Sequence, residues 1–311
     1  MNMNHHNAVR LSMKRGEEDM KWIDPHIHLF ALAHGHYAWL KPENPPFWSD
    51  KAVINQTTLE PHLYEGNRNL LAGFVHIEAG FDNHHPWREV QFLEQYCKGP
   101  FRSVANIHLT ANSAQADINR LVRFHSVVGL RHILDDGAQT ILRSPKALHT
   151  LKYMAQHQLS FDAQLDLTDT ASVSALVKVL EQVPHLTVMV NHVGIAPSSR
   201  ANLAYKHWQH HLRELGQHNK LAFKFSGMEM QERQWSWQYA HGVLCDVIES
   251  VPLSKLMLAS NFPLCNLRMP YSELLRGYDR LLKRFDRQTA EQLRYSNAYR
   301  WYKFTPQDFE E

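Results

Sequence analysis

Short apolar runs alternate along the chain with longer stretches whose apolar residues recur every three or four positions. The runs at 22–28, 71–78, 103–109, 129–134, 160–165, 187–192, 221–226 and 256–261 are mostly rich in β-branched and aromatic residues, as buried parallel strands are. The stretches at 87–97, 114–125, 145–157, 171–183, 203–218, 235–250 and 272–285 carry helical spacing. Ser144-Pro145 reads as an N-cap followed by proline at the first helical position, and Asp169 or Thr170 as the cap of the next helix. A last helical stretch, 289–302, is expected to close the bottom or side of the molecule. Eight strand–helix units predict an α/β fold, the (β/α)8 TIM barrel, in which about 250 residues plus insertions form one domain.

The segment 30–69 breaks the alternation. It holds Pro42, Pro45, Pro46 and Pro61 together with Trp39, Phe47 and Trp48. Following the first strand, it lies on the catalytic face and is read either as a lid or pocket wall, or as a loop packed as a satellite core. The barrel domain is expected over 21–304, with a mobile polar leader at 1–20, where Met20 is an alternative start, and a short tail at 305–311.

Composition narrows the partners. Of 311 residues, 44% are hydrophobic and 21% charged, with a formal net charge of +2, so no nucleic-acid partner is expected. No apolar run approaches the roughly 20 residues that cross a bilayer, and the leader lacks a secretory apolar segment. Cys97, Cys245 and Cys265 are far apart and odd in number, which fits a reducing cytoplasm and excludes a paired-thiolate zinc site. A small molecule is the expected ligand, and a homo-oligomer is left open.

In such barrels the chemistry sits at the carboxyl ends of the strands. Those ends carry His26 and His28, His76 and Glu78, His108, Arg131 and His132, Gln164 and Asp166, Asn191 and His192, Lys224 and Ser226, and Ser260 and Asn261. Polar, ligand-capable groups therefore collect at one end, as in an enzyme. His26 and His28 are two apart on a strand, so both rings face one side and form a candidate divalent-metal pair or a hydrogen-bonded pair without metal. Asp24, one step deeper, is a candidate to orient one of the rings. Glu78 is a candidate ligand or general base, or the partner of a cation such as Lys224 or Arg131. Arg131 offers a planar fork for a substrate carboxylate, or pairs with Asp135 or Asp166. His192 is a candidate catalytic residue, and Gln164, Ser226 and Lys224 are candidates to hold substrate polar groups. No Gly-x-Ser-x-Gly elbow, phosphate-binding glycine loop or Gly-x-Gly-x-x-Gly fingerprint occurs.

Asp24-Pro25-His26-Ile27-His28-Leu29-Phe30 resembles the opening strand of the amidohydrolase superfamily, and of its amidohydrolase-2 group in particular. Phe74–Ala79, Gly129–Leu134, Val190–Gly194 and Ala259–Leu264 resemble that group's later motifs in order, over roughly 21–304. The resemblance implies a hydrolase of small cyclic esters, such as sugar-acid lactones or pyrone dicarboxylates, with the histidine pair binding a divalent metal, zinc foremost, or assisting without one. It implies a place in the site for His192, and for Arg131 a hold on carboxylate or lactone oxygens. The wider group also contains metal-dependent decarboxylases of aromatic or muconate-type acids. One departure stands out: the group's eighth-strand motif is Gly-Ser-Asp-Trp-Pro, whose Asp takes a proton from the attacking water, whereas this chain has Asn261. A carboxamide orients water but is no general base. Three readings follow: a lactone-opening hydrolase in which His192, Glu78 and Asn261 are catalytic, a decarboxylase on the same scaffold, and a catalytically decayed binding protein.

Overall fold

The computed structural model describes residues 21–66 and 70–310. The expected leader at 1–20 lies outside the described residues. Eight parallel strands, β1 (Trp22–Ile27), β2 (Leu71–Ile77), β3 (Phe101–Asn106), β4 (Val127–Ile133), β5 (Ser160–Gln164), β6 (Thr187–Val190), β7 (Leu221–Phe225) and β8 (Leu256–Leu258), pair in chain order. Past the end of β8 the ring comes together through a parallel bridge between Ile27 and Phe262, with Asn261 N–H donating to the His26 carbonyl (3.0 Å) and His28 N–H to that of Phe262 (2.6 Å). The fold is the (β/α)8 barrel expected from the sequence.

The helices are α1 (Glu60–Tyr64), α2 (Trp87–Tyr96), α3 (Ala114–Leu121), α4 (Ala138–Leu142), α5 (Pro145–Gln156), α6 (Thr170–Gln182), α7 (Leu203–Gly216), α8 (Met228–Gln231), α9 (Trp237–Ser250), α10 (Tyr271–Leu282), α11 (Arg287–Glu291) and α12 (Asn297–Trp301). Pro145 does open α5 after Ser144, and the Asp169 carboxylate caps α6 by accepting from Ala171 N–H.

Strand alternation divides the core in two. Outward residues such as Phe161, Ala163, Phe223 and Phe225 pack under the helices. Inward residues Ile23, Val75, Ile77, Val104, Met189, Ala222 and Met257 form the floor of the barrel, sealed by Ala298, Tyr302 and Phe304. The last helical stretch thus closes the bottom, with a π-helical turn at Gln292–Ser296 joining α11 to α12. Thr305 to Phe309 continue that plug: Asp308 pairs with Arg102, and Phe309 lies against Tyr299 and Phe304.

The described part of the insertion, residues 30–66, contributes to a satellite cluster in which Phe30, Tyr37, Leu40 and Ile54 bury with Phe81 and Leu264. It is pinned to the β7–β8 side of the mouth, because Asp50 pairs with Arg233 (2.6 Å) and the Arg233 guanidinium lies 5.0 Å from the Trp48 ring centroid.

Candidate active site

Several strands end earlier than their apolar pattern suggests, so the site residues occupy the first turns beyond them. His28, Glu78, His192, Ser226 and Asn261 all lie outside regular strand. The backbone is bent there. His192 and Val193 sit at φ 56° and 45°, and Asn261 at φ 60°. Left-handed geometry costs a β-branched residue most and is tolerated best by Asn. Side chains that follow a strand with regular alternation are re-aimed by these turns toward the mouth.

His26 and His28 face each other with Nε2 atoms 3.2 Å apart. The His28 Nδ1–H is anchored on the Ile77 carbonyl at 2.9 Å, which leaves the lone pair on Nε2. On the far side of His26, Nδ1 lies 3.3 Å from Lys224 Nζ. Burial, followed by the charge of Lys224 for His26 and of Arg131 for His28, holds both imidazoles well below their usual pKa. The rings are therefore neutral, the form that binds metal. The His192 ring lies 4.6 Å from that of His26, centroid to centroid, and its Nδ1 is 2.9 Å from the Ser226 hydroxyl. Burial, with Arg131 and Lys224 behind it, lowers His192 to about 3.

Arg131 lies beside His28, both reaching the Glu78 carbonyl. Its Nε donates to Glu78 Oε1 (2.8 Å), its Nη2 to the Glu78 carbonyl (2.8 Å), and its Nη1 to Gln164 Oε1 (3.3 Å). The partner of Arg131 is thus Glu78, not Asp135 or Asp166. Of the roles open to Glu78, ligand, base or partner of a cation, the structure shows the last: its carboxylate pairs with and aims the Arg131 guanidinium.

Two other expectations need correction. Asp24 touches neither imidazole: it accepts from the backbone N–H groups of His26 and Ser260 and from the Tyr271 hydroxyl, and so ties β1 to the turn after β8. Lys224 does not present a free cation to substrate. Fully buried, it is paired with Asp162, which Tyr302 also contacts through its hydroxyl at 3.1 Å. A charge inside the barrel requires a counter-charge, and the inward position two residues before Gln164 supplies it. The alternation Ser160, Asp162, Gln164 was the sequence signal for Asp162. His76 is a satisfied core histidine on Glu89 (3.1 Å), and the His108 and His132 rings meet at a tilt, 4.9 Å apart centroid to centroid.

Glu229 carries no comparable signal. It opens α8 after the β7 turn, is buried, and its Oε1 accepts from Asn261 Nδ2 at 2.6 Å. Burial pushes its carboxyl up to about 7. The turn that carries it depends on Gly227, at φ 75°, where an added Cβ would lie 2.5 Å from His192 Nδ1. Gly227→Ala is expected to cost ~1–3 kcal/mol through the left-handed backbone and to displace His192. Thermal unfolding measures the first effect, and turnover the second.

Eight parallel strands with neutral imidazoles and a fixed guanidinium gathered at their carboxyl ends are the arrangement of a barrel enzyme. The sequence matches the amidohydrolase family Amidohydro_2 over residues 23–304, and the chain belongs to that family. It is 25% identical over 307 residues to the uncharacterized protein y4mH of Sinorhizobium fredii, covering 92% of this chain and 99% of that one. Its fold is shared by a zinc-bound amidohydrolase of Burkholderia multivorans (TM-score 0.78, 17% identity, 91% of this chain and 99% of that one). It is also shared by a candidate 2-pyrone-4,6-dicarboxylic acid hydrolase of Pseudomonas putida (TM-score 0.70, 18% identity, 92% and 98%). No helix among the described residues is long and apolar enough to cross a membrane.

Proposed function

We propose that the enzyme opens a lactone-like ester bond in a small, carboxylated or sugar-derived molecule by attack of an activated water. The convergence of His26, His28 and His192 near the Arg131 guanidinium is the main support. The histidine pair fits a divalent ion: two nitrogens each about 2.0–2.1 Å from one zinc at the tetrahedral angle stand about 3.3 Å apart, against 3.2 Å between these Nε2 atoms. The Ile77 carbonyl on His28 Nδ1 is the kind of outer partner that such ligands use. His26 and His28 would hold the ion, which when bound supplies Lewis-acid polarisation of the ester carbonyl and a more acidic water.

The chain's own groups do the rest. Arg131, locked by Glu78 and Gln164, orients a substrate carboxylate or ring oxygen through its charge and the remaining N–H of Nη1. His192, neutral and held by Ser226, hydrogen-bonds the reacting oxygen. Asn261 offers its Oδ1 to the water. Lys224 acts from below through its charge, which helps to keep His26 neutral, without meeting substrate. Residues 21–304 then act as one catalytic domain, with the 30–69 insertion as a wall of the pocket.

Metal analysis of the purified chain is expected to find a divalent ion that His26→Ala loses. With zinc or manganese supplied, a panel of lactones should include one that the wild type opens and His26→Ala opens at least about 100-fold more slowly, a ligand mattering at least as much as its outer partners. No hydrolysis across the panel by metal-loaded protein sinks the reading. Release of carbon dioxide from a carboxylated aromatic acid assigns the site to decarboxylation instead.

A further inference from the structure

The four residues from Ser226 to Glu229 brace both flanks of the site. Ser226 holds His192 at the end of β6, and Glu229 holds Asn261 beyond β8. Asn261 is itself part of the site's frame, since its backbone N–H donates to the His26 carbonyl. Its side chain is 1% exposed, and its Oδ1 has no hydrogen-bond partner among the described residues. The amide nitrogen, in contrast, is taken by Glu229 at 2.6 Å. A buried acceptor left unpaired costs ~1–3 kcal/mol, so this one is made for a donor that the protein does not supply.

An amide has two ends, and packing alone barely distinguishes them. An ionised carboxylate beside it does: only the NH2 end can face Glu229 Oε1, and that hydrogen bond itself favours the ionised form against burial. We propose that Glu229 is a positioning residue that sets the polarity of Asn261, turning the amide so that Oδ1 is presented as a fixed acceptor to the attacking water or to a substrate hydroxyl. The segment that carries Glu229 is itself held: Arg233 donates to the Glu229 carbonyl and pairs with Asp50 of the insertion. The insertion thereby reaches the site through Arg233, Glu229 and Asn261. The role of Asn261 in turnover rests on the hydrolytic reading above, whereas the orientation of its amide does not.

Two measurements on the full chain keep these apart. The first is the Asn261 side-chain 1H–15N resonance, assigned by its loss in Asn261→Leu. It is expected to be protected from exchange in the wild type and in Glu229→Gln, whose carbonyl can still accept, and to lose protection in Glu229→Met. An unprotected amide in the wild type overturns the proposal, and so does protection that survives in Glu229→Met. The second is kinetics on whichever lactone is turned over. Glu229→Met should lower kcat by about 10- to 100-fold with KM nearly unchanged, the cost of a misplaced site group. Glu229→Gln should lose several-fold less. In the Asn261→Leu background Glu229→Met should cost nothing more, because its effect passes through Asn261. An equal loss in both backgrounds overturns the proposal. If no lactone is turned over but the amide is protected as expected, the positioning stands and the hydrolytic reading falls.

Discussion

Replacing Arg131 by Met is expected to lower the stability of the fold by ~3–5 kcal/mol, because it strands a buried carboxylate. Glu78 is 2% exposed, and its side chain is bound by the Arg131 fork at 2.7–2.8 Å. With the fork gone, the carboxylate must either stay ionised without a partner or take up a proton, and both cost free energy. Denaturant unfolding measures the loss, and the double change Glu78→Gln with Arg131→Met should recover most of it. The kinetic consequence separates structure from binding. A charged hydrogen bond contributes about 1.5–3 kcal/mol, so Arg131→Lys, which keeps charge but not the fork, should reduce kcat/KM on a carboxylated lactone by about 10- to 100-fold. On an uncharged lactone it should do far less. Equal losses on both would show that Arg131 serves only the fold.

Lys224→Met is the second large effect. Lys224 and Asp162 are both 0% exposed, and Asp162 Oδ1 has no partner among the described residues. Asp162 therefore depends on the lysine and on the Tyr302 hydroxyl. Loss of the lysine alone should cost ~3–5 kcal/mol, whereas Lys224→Met with Asp162→Leu should cost less, ~1–3 kcal/mol, since the apolar pair needs no desolvated charges but leaves the Tyr302 hydroxyl without its acceptor. A single-variant loss below ~1 kcal/mol would show that Asp162 does not depend on the lysine. The pair also stands beneath His26, so the double variant asks a second question. If the fold is restored but turnover is not, Lys224 matters for its charge beside His26 and not only for offsetting Asp162.

Much of this was legible in the chain. Eight apolar runs alternating with helical spacing determined the barrel, because strand burial on both faces and helix burial on one leave different periods in the sequence. His26 and His28, two apart on a strand, could only share a face. Arg131, Gln164 and His192 were placed by the same rule, that the mouth lies where the strands end. The amidohydrolase motifs, met in order, pointed to the family.

What the tertiary structure decided concerns partners. Glu78 and Arg131 are 53 residues apart, Asp162 and Lys224 are 62 apart, and Glu229 and Asn261 are 32 apart, so no local pattern couples them. Alternation says which side a residue faces, but not which residue on another strand stands level with it, because register is set by the ring as a whole. For the same reason the Asp24 carboxylate reaches Ser260 and Tyr271, residues brought beside it by closure, and meets only the backbone N–H of His26, not its imidazole. Asn261 shows both sides of the division. Its identity, a neutral amide at the end of the eighth strand, was plain from the sequence. The carboxylate beside it, which can face only one end of that amide, exists only because the turns after β7 and β8 meet across the barrel mouth.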